Sequence, residues 1–385
     1  MTAVETLPIA VLVWGGGTGG AAAALQAARS GAETLLLTPG GWLGGMVSAA
    51  GVCAPDGNEL SPWQTGLWGA LLRGLAAAEP SGLDHNWVSC FGFSPGTAER
   101  LLQGWMKAEA RLRWWPCSRL LAVERQADRI RAVRVEHQGQ QWRLEPDIVI
   151  DGSDRGDLFP LAGAAFDLGW EARERTGEPS APSARELEEE SFYSRQPVQS
   201  PTWVILGQLA EGDPPPQAAP APALPAPFQQ ACERFGLSRT LTYGRLPGGQ
   251  VMLNWPLHGN DWHDGLERAF SDAEAQQASL AQDMRAHSQA FARALERASD
   301  GWLQPGGGFP SAAEAAGGAL QGLEPLALMP YWREGRRLVG LARVLEQHLL
   351  PAGPGARIAP LPSAGGVTGG AIAVGNYAND HHYPG

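Results

Sequence analysis

Residues 8–14 (PIAVLVW) form an unbroken apolar run, the pattern of a strand covered on both faces in a parallel sheet. The turn GGGTGG at 15–20 follows, then AAAALQAARSG, small residues and helix formers closed by Gly31. Residues 32–37 (AETLLL) predict a second buried strand. Strand, glycine turn, helix and strand within about 30 residues make a βαβ unit. After TPGGWLGG at 38–45 the pattern is irregular until 97–111, where Leu101, Leu102, Trp105 and Ala108 fall at helical spacing. Residues 112–145 alternate as three short strands, a meander with turns at Ala127-Asp128 and Gly139. DIVID at 147–151 predicts another buried strand.

From about residue 171 the character changes. RELEEESF is a short acidic stretch, and 213–227 (DPPPQAAPAPALPAP) is a Pro/Ala-rich segment expected to be an extended, mobile loop. Residues 271–299 carry the clearest helical pattern. Ser271 and Glu274 have capping-box spacing, and Leu280, Met284, Phe291 and Leu295 fall on one face. GWLQPGGGFP breaks the chain, and the last part holds PYWREGRRLVG (330–340), a predicted helix at 341–350, and AIAVGNYANDHHYPG. The fold class is therefore α/β: a three-layer, Rossmann-like dinucleotide-binding domain of parallel sheet plus β-meander over 1–170. An inserted substrate region of mixed structure is expected over 171–325, and 326–385 returns toward the first domain.

Charge and composition narrow the function. The net charge of -11 opposes both nucleic-acid backbones and anionic membrane surfaces. Lys107 is the only lysine and lies inside a predicted helix, which removes pyridoxal Schiff-base enzymes and Walker A nucleotide binders. Four scattered cysteines without CxxC spacing form neither a disulfide framework nor a cysteine-rich metal site, and suit a reducing compartment. The N-terminus lacks a basic n-region and no apolar run reaches about 18 residues, so neither a signal peptide nor a membrane span is expected. A cytoplasmic protein acting on a small molecule is the expectation.

Gly15, Gly17 and Gly20 satisfy GxGxxG between a strand and a helix. Gly15 allows the tight turn, Gly17 lets a pyrophosphate approach the backbone, and Gly20 permits close helix–sheet packing. At the end of the second strand, where an acidic residue would grip a ribose hydroxyl, Thr38 stands instead and offers a neutral hydrogen bond. No GxSxG nucleophile elbow is present.

GGGTGGAAAALQAARSGAETLLLTPGGWLGGMV resembles the opening of FAD-dependent oxidoreductases with the glutathione-reductase-like flavin fold, in the xanthan lyase-like and heterodisulfide-reductase-A-like group. TAERLLQGWMKAEARLRWW, IVIDGSDRGDLFPLAG, PYWREGRRLVG and VGNYANDHHYP resemble further segments of that family. The likeness covers 1–50, 95–175 and 325–385. It implies FAD as cofactor, with Gly44, Gly45 and Met46 approaching the flavin, Thr38 on the ribose, and Gly152 and Asp157 closing the adenine side. The family chain normally continues into a final strand and helix, whereas only Tyr383, Pro384 and Gly385 follow His382. The expectation is a truncated product, or a flavin domain completed by a partner chain or by self-association, or a chain that binds FAD poorly.

The candidate chemistry follows from what the flavin leaves to the protein: positioning the substrate and handling its proton. Asp380, His381 and His382 offer a histidine held by a carboxylate. Tyr331, Arg333, Glu334, Arg336 and Arg337 form a second cluster; in an extended segment Tyr331, Arg333 and Arg337 share one face. Arginine there would give fixed positive charge near the flavin or a substrate carboxylate. His258, Asp261, His263 and Asp264 have a metal-like composition, but no third segment completes a shell, and no metal site is assigned. Asn254, Trp255 and His258 are candidates for a substrate mouth. FAD-dependent oxidation or reduction of a small organic substrate is the favoured function. A non-catalytic or partner-dependent remnant of the fold is one alternative. A carbohydrate-binding or polysaccharide-processing protein, for which the 15 tryptophans speak, is the other.

Overall fold

The computed structural model describes residues 4–56, 64–211, 224–311, 323–349 and 382–383. The apolar run at 8–14 forms the inner part of strand β1 (Glu5–Trp14), and helix α1 (Thr18–Arg29) leads to β2 (Thr34–Leu37), which is buried throughout. Ala21, Ala24, Leu25 and Ala28 are the buried stripe of α1. Three of these four are alanines, so the helix axis lies close to the sheet.

Strands β3 (Leu112–Trp115), β4 (Arg119–Gln126), β5 (Arg129–His137) and β6 (Gln140–Asp151) complete a six-stranded sheet in the order β3-β2-β1-β6-β5-β4. β3, β2, β1 and β6 run parallel, and β4, β5 and β6 form the antiparallel meander. The sequence pattern misplaces two things here. Leu112–Trp115 is not the first meander strand but a parallel strand beside β2; Pro116 and Cys117, the latter at φ 52°, turn the chain away before β4. The third meander strand and the return strand at 147–151 are one continuous strand, with β5 pairing only as far as Leu144. Past that point no described strand covers the outer edge of β6. Residues 147–151 are accordingly not buried, and Ile148 is 57% exposed.

Helix α2 (Gly66–Ala78) lies where the pattern looked irregular; its glycines and near-continuous apolar residues erase the helical period. It packs on α3 (Pro95–Ala108), the helix predicted over 97–111. Helix α4 (Glu274–Ala298) buries Leu280, Met284, Phe291 and Leu295 as expected. It has no capping box: the helix starts at Glu274, and Ser271 Oγ instead accepts the Ala273 N–H at 3.1 Å. Of the helix predicted at 341–350, Glu346–Leu349 is helical among the described residues, which in this stretch end at 349. Most of the Pro/Ala-rich segment lies outside the described residues.

Strands β7 (Ile205–Leu209), β8 (Gly244–Arg245), β9 (Gln250–Leu253) and β10 (Leu303–Pro305) form a second, antiparallel sheet in the order β10-β7-β9-β8. One buried apolar cluster joins both sheets, from Val11, Val13 and Leu102 to Trp203, Leu206 and Met252. Packing at that density fixes the second sheet against the glycine turn. Among the described residues no helix is long and apolar enough to cross a membrane.

Candidate active site

The glycine motifs at 15–20 and 44–45 meet. Gly44 donates its N–H to Gly16 O at 2.7 Å, and Gly17 bridges to Gly44. Gly44 and Gly45 have φ of 101° and 52°, and a Cβ on Gly45 would stand 2.9 Å from Gly17 Cα. Only glycine allows both the conformation and the approach. Behind them Gly15, Gly20 and Gly152 interlock: a Cβ on Gly20 would lie 2.0 Å from Gly15 O, and one on Gly152 would lie 2.6 Å from Gly20 Cα. These three bring α1 against the ends of β1 and β6.

A cavity of about 290 Å³ opens over Gly15–Gly17, Thr38–Trp42 and Gly152–Arg155, with Gln277 and Ala281 of α4 on its opposite wall. The N-terminus of α1 faces it with no side-chain cap and no acidic residue in the first turn. Its backbone N–H groups and dipole are left for an anion, and the glycine wall lets a phosphate reach them; these residues fit a dinucleotide pyrophosphate. Thr38 lines the cavity, but its hydroxyl donates to Gly40 O at 2.6 Å and accepts Trp114 Nε1 at 3.0 Å, leaving only acceptor capacity for a ribose. Asp157 lines the same cavity and takes Trp14 Nε1 at 3.3 Å.

A second cavity, of about 490 Å³, is lined by Met46, Gln199, Asn254, Tyr331, Arg333 and His382 among others. Consecutive residues therefore face different cavities: Gly45 the first, Met46 the second. The loop at 44–46 is the wall between a nucleotide cleft and a polar chamber.

Behind the lining residues Arg333 and His382 lies Asp261, whose side chain is fully buried. Its carboxylate takes His382 Nδ1 at 3.0 Å, Arg333 NH1 at 3.2 Å and the Thr202 hydroxyl. Burial alone would raise the Asp261 carboxyl, but Arg333, His382 and Thr202 together hold it below the usual carboxylate range. Arg333 also donates to Ser200 O, Thr202 Oγ1 and Asn254 Oδ1. His382 is held by its backbone as well: its N–H donates to Gln199 Oε1 at 3.1 Å and its carbonyl accepts Ser200 N at 2.9 Å.

Among the described residues the carboxylate beside His382 comes from a distant part of the chain. Asp380 lies outside the described residues, and the observed partner is Asp261. Tyr331 and Arg333 share the chamber, whereas Arg337 turns away to pair with Glu334. His263 uses both ring nitrogens, on Ser200 Oγ at 2.6 Å and Leu257 O at 2.8 Å, and His258 is exposed. Among the described residues no group of three His, Cys, Asp or Glu side chains is placed to hold a metal ion. Trp87 and Trp255 pack with Tyr243 in an aromatic cluster, and Trp115 stacks on His137. Thr202 and Ser200 carry no signal in the sequence, because no local motif marks a hydroxyl whose partner, Asp261 for Thr202 and His263 for Ser200, lies about 60 positions away.

A family model described as FAD dependent oxidoreductase matches residues 10–385. No curated protein matches. Among solved structures, the chain is similar to a geranylgeranyl bacteriochlorophyll reductase-like protein from Thermoplasma acidophilum, at 16% identity over 54% of this chain and 49% of that one, with a TM-score of 0.33. It is also similar to p-nitrophenol 4-monooxygenase from Pseudomonas putida, at 14% identity over 43% and 45% of the two chains, with a TM-score of 0.30. L-proline dehydrogenase from P. horikoshii matches at 14% identity over 39% and 23%, with a TM-score of 0.24. The chain thus spans less than half the length of these three structures. The family match extends over the glycine turn, the meander and the chamber alike: the chain belongs to the FAD dependent oxidoreductase family, and FAD is its cofactor.

Proposed function

We propose that the protein oxidises or reduces a small organic substrate held in the polar chamber, by hydride transfer to or from the flavin, with His382 handling the proton. The observation that carries this reading is the shared wall: Met46 lines the chamber that holds His382, while its neighbour Gly45 lines the nucleotide cleft. Bound FAD supplies the two-electron exchange.

The chain's own residues supply orientation and proton transfer. Asp261 is held as a carboxylate and can only accept, so Nδ1 of His382 carries a hydrogen toward it and proton exchange with a substrate falls to Nε2. Arg333 keeps Asp261 ionised and ties it to Asn254 and Thr202, which fixes the ring's position. Burial pushes the Tyr331 hydroxyl up, so it remains a donor at the chamber wall.

The test is flavin retention followed by reduction. Protein mixed with FAD and desalted is expected to keep the flavin spectrum and to lose the oxidised band when an electron-donating substrate is added without oxygen. Protein that holds no flavin contradicts the reading and favours a non-catalytic remnant of the fold.

A further inference from the structure

The nucleotide cleft carries a carboxylate beside the turn that takes the pyrophosphate. Asp154 lines the cleft shortly after β6, and its Oδ1 stands 3.4 Å from the position a Cβ would take on Gly17. Gly17 is the N-cap residue of α1, and no side chain caps that helix, so Asp154 sits at the mouth of the anion site without closing it. The neighbouring charges on the lining are engaged with one another. Asp157 takes Trp14 Nε1 at 3.3 Å and lies 3.8 Å from Arg155 Nε. Arg155 donates through NH1 to Ala269 O at 2.7 Å and lies over the Trp332 ring. Asp154 takes no part in these contacts.

The elements packed around Asp154 do little to neutralise it. The turn at 15–17 offers backbone alone, and α4 presents the neutral Gln277 across the cleft. From the segment at 330–337, Gly335 packs against the Asp154 carbonyl, Arg336 donates NH1 to Arg155 O at 3.1 Å, and the Asp154 charge raises the Tyr331 hydroxyl. Glu99 lies beneath the loop at 43–45 and not on the lining. The Asp154 side chain is reached from the cleft, yet the protein packed around it and the charge of Asp157 push its carboxyl up to about 6, against the pull of Arg155. A pyrophosphate at Gly17 adds negative charge on the same side and pushes it further in that direction. An ionised Asp154 can only accept and repels the phosphates, whereas a neutral one can donate a hydrogen bond to an anion.

We propose that Asp154 is a positioning residue for FAD that serves in its protonated form, so that FAD binds with the uptake of a proton and is held more weakly once that proton is lost. The proposal rests on the glycine-walled cleft being the FAD site. It makes cofactor retention, and not only chemistry, depend on pH.

The experiment titrates the flavin-stripped full chain with FAD and follows the quenching of flavin fluorescence. The pyrophosphate diester stays ionised throughout the neutral range, so a slope with pH belongs to the protein. The dissociation constant of the unaltered protein is expected to rise tenfold or more between about pH 5.5 and about pH 8. Asp154→Asn keeps a donor and carries no charge, and its affinity is expected to vary by less than about threefold over the same range. Calorimetry in two buffers of different ionisation heat counts the protons: the unaltered protein is expected to take up about one per FAD near neutral pH, and Asp154→Asn none. Affinity of the unaltered protein that is flat with pH overturns the proposal, as does FAD binding without proton uptake. A slope that persists in Asp154→Asn, as Glu99 would produce, overturns it too. The proton count needs only the unaltered protein, so a variant that does not fold leaves the test standing. Protein that binds no FAD at any pH contradicts the cleft as the FAD site and the proposal with it, whereas pH-independent FAD binding contradicts the proposal alone.

Discussion

Asp261 Oδ2 lies 3.0 Å from His382 Nδ1, across 121 positions of sequence. Asp261 is shared with Arg333, so one carboxylate both orients the imidazole and balances a buried cation. Replacing it by asparagine leaves the charge of Arg333, whose side chain is 8% exposed, without its carboxylate. Asp261→Asn is expected to cost about 3–5 kcal/mol of stability, measured by urea unfolding at neutral pH. The pH dependence has a definite sign. The folded pKa of Asp261 is depressed, so its contribution is complete above the unfolded carboxylate range and is lost as pH falls through the lower folded value. The acid limb of the stability curve is expected to flatten in Asp261→Asn.

Gly19 and Gly20 are neighbours in α1 with opposite surroundings. A Cβ at Gly19 meets nothing within 4 Å, whereas one at Gly20 would overlap Gly15 O at 2.0 Å. Gly19→Ala is therefore expected to stabilise the protein by about 0.5–1 kcal/mol through helix propensity. Gly20→Ala is expected to destabilise it and to lower FAD affinity, because α1 must move away from β1 and β6. Thermal unfolding of the two variants side by side checks this, and equal melting temperatures would contradict the interlocking of Gly15, Gly20 and Gly152.

Glu99 of α3 sits beneath the loop that carries Gly44 and Gly45, 4% exposed, accepting Leu43 N–H and the Gln103 amide at 2.6 Å each. Burial pushes its carboxyl up to about 7, against the pull of Leu43, Gln103 and Lys107. An acid whose folded pKa is raised binds protons more tightly in the folded state, so stability falls as pH rises from about 4.5 to about 7. Glu99→Gln keeps an acceptor for Leu43 and removes that slope. Above pH 7 the variant is expected to gain up to about 3 kcal/mol over the unaltered protein. A parallel pH dependence of the two would contradict it.

The βαβ opening was legible because its signals are local: an apolar run, glycines at fixed offsets, and a helix of alanines. The meander was legible for the same reason, since Ala127-Asp128 and Gly139 mark its turns. Two strand assignments failed where tertiary pairing outweighs pattern. Leu112–Trp115 joins β2 because Cys117 redirects the chain, and β6 runs through Pro146 because β1 pairs along both its halves. The site was legible in part. Tyr331, Arg333 and His382 stand out as reactive side chains in segments that resemble the family, but Asp261 stands out only as one of four residues of metal-like composition. Its role depends on β7, β9 and the segment at 330–334 converging, which no spacing in one sequence encodes.

The most direct measurement is the rate of flavin reduction by an electron-donating small substrate without oxygen, in the unaltered protein and in His382→Gln. FAD affinity is expected to be the same in both, because His382 faces the chamber and not the nucleotide cleft. Reduction is expected to slow by about 10²–10⁴-fold in the variant, the usual loss when a positioned proton acceptor is removed. Equal rates in the two proteins, with flavin bound in both, would contradict the role assigned to His382.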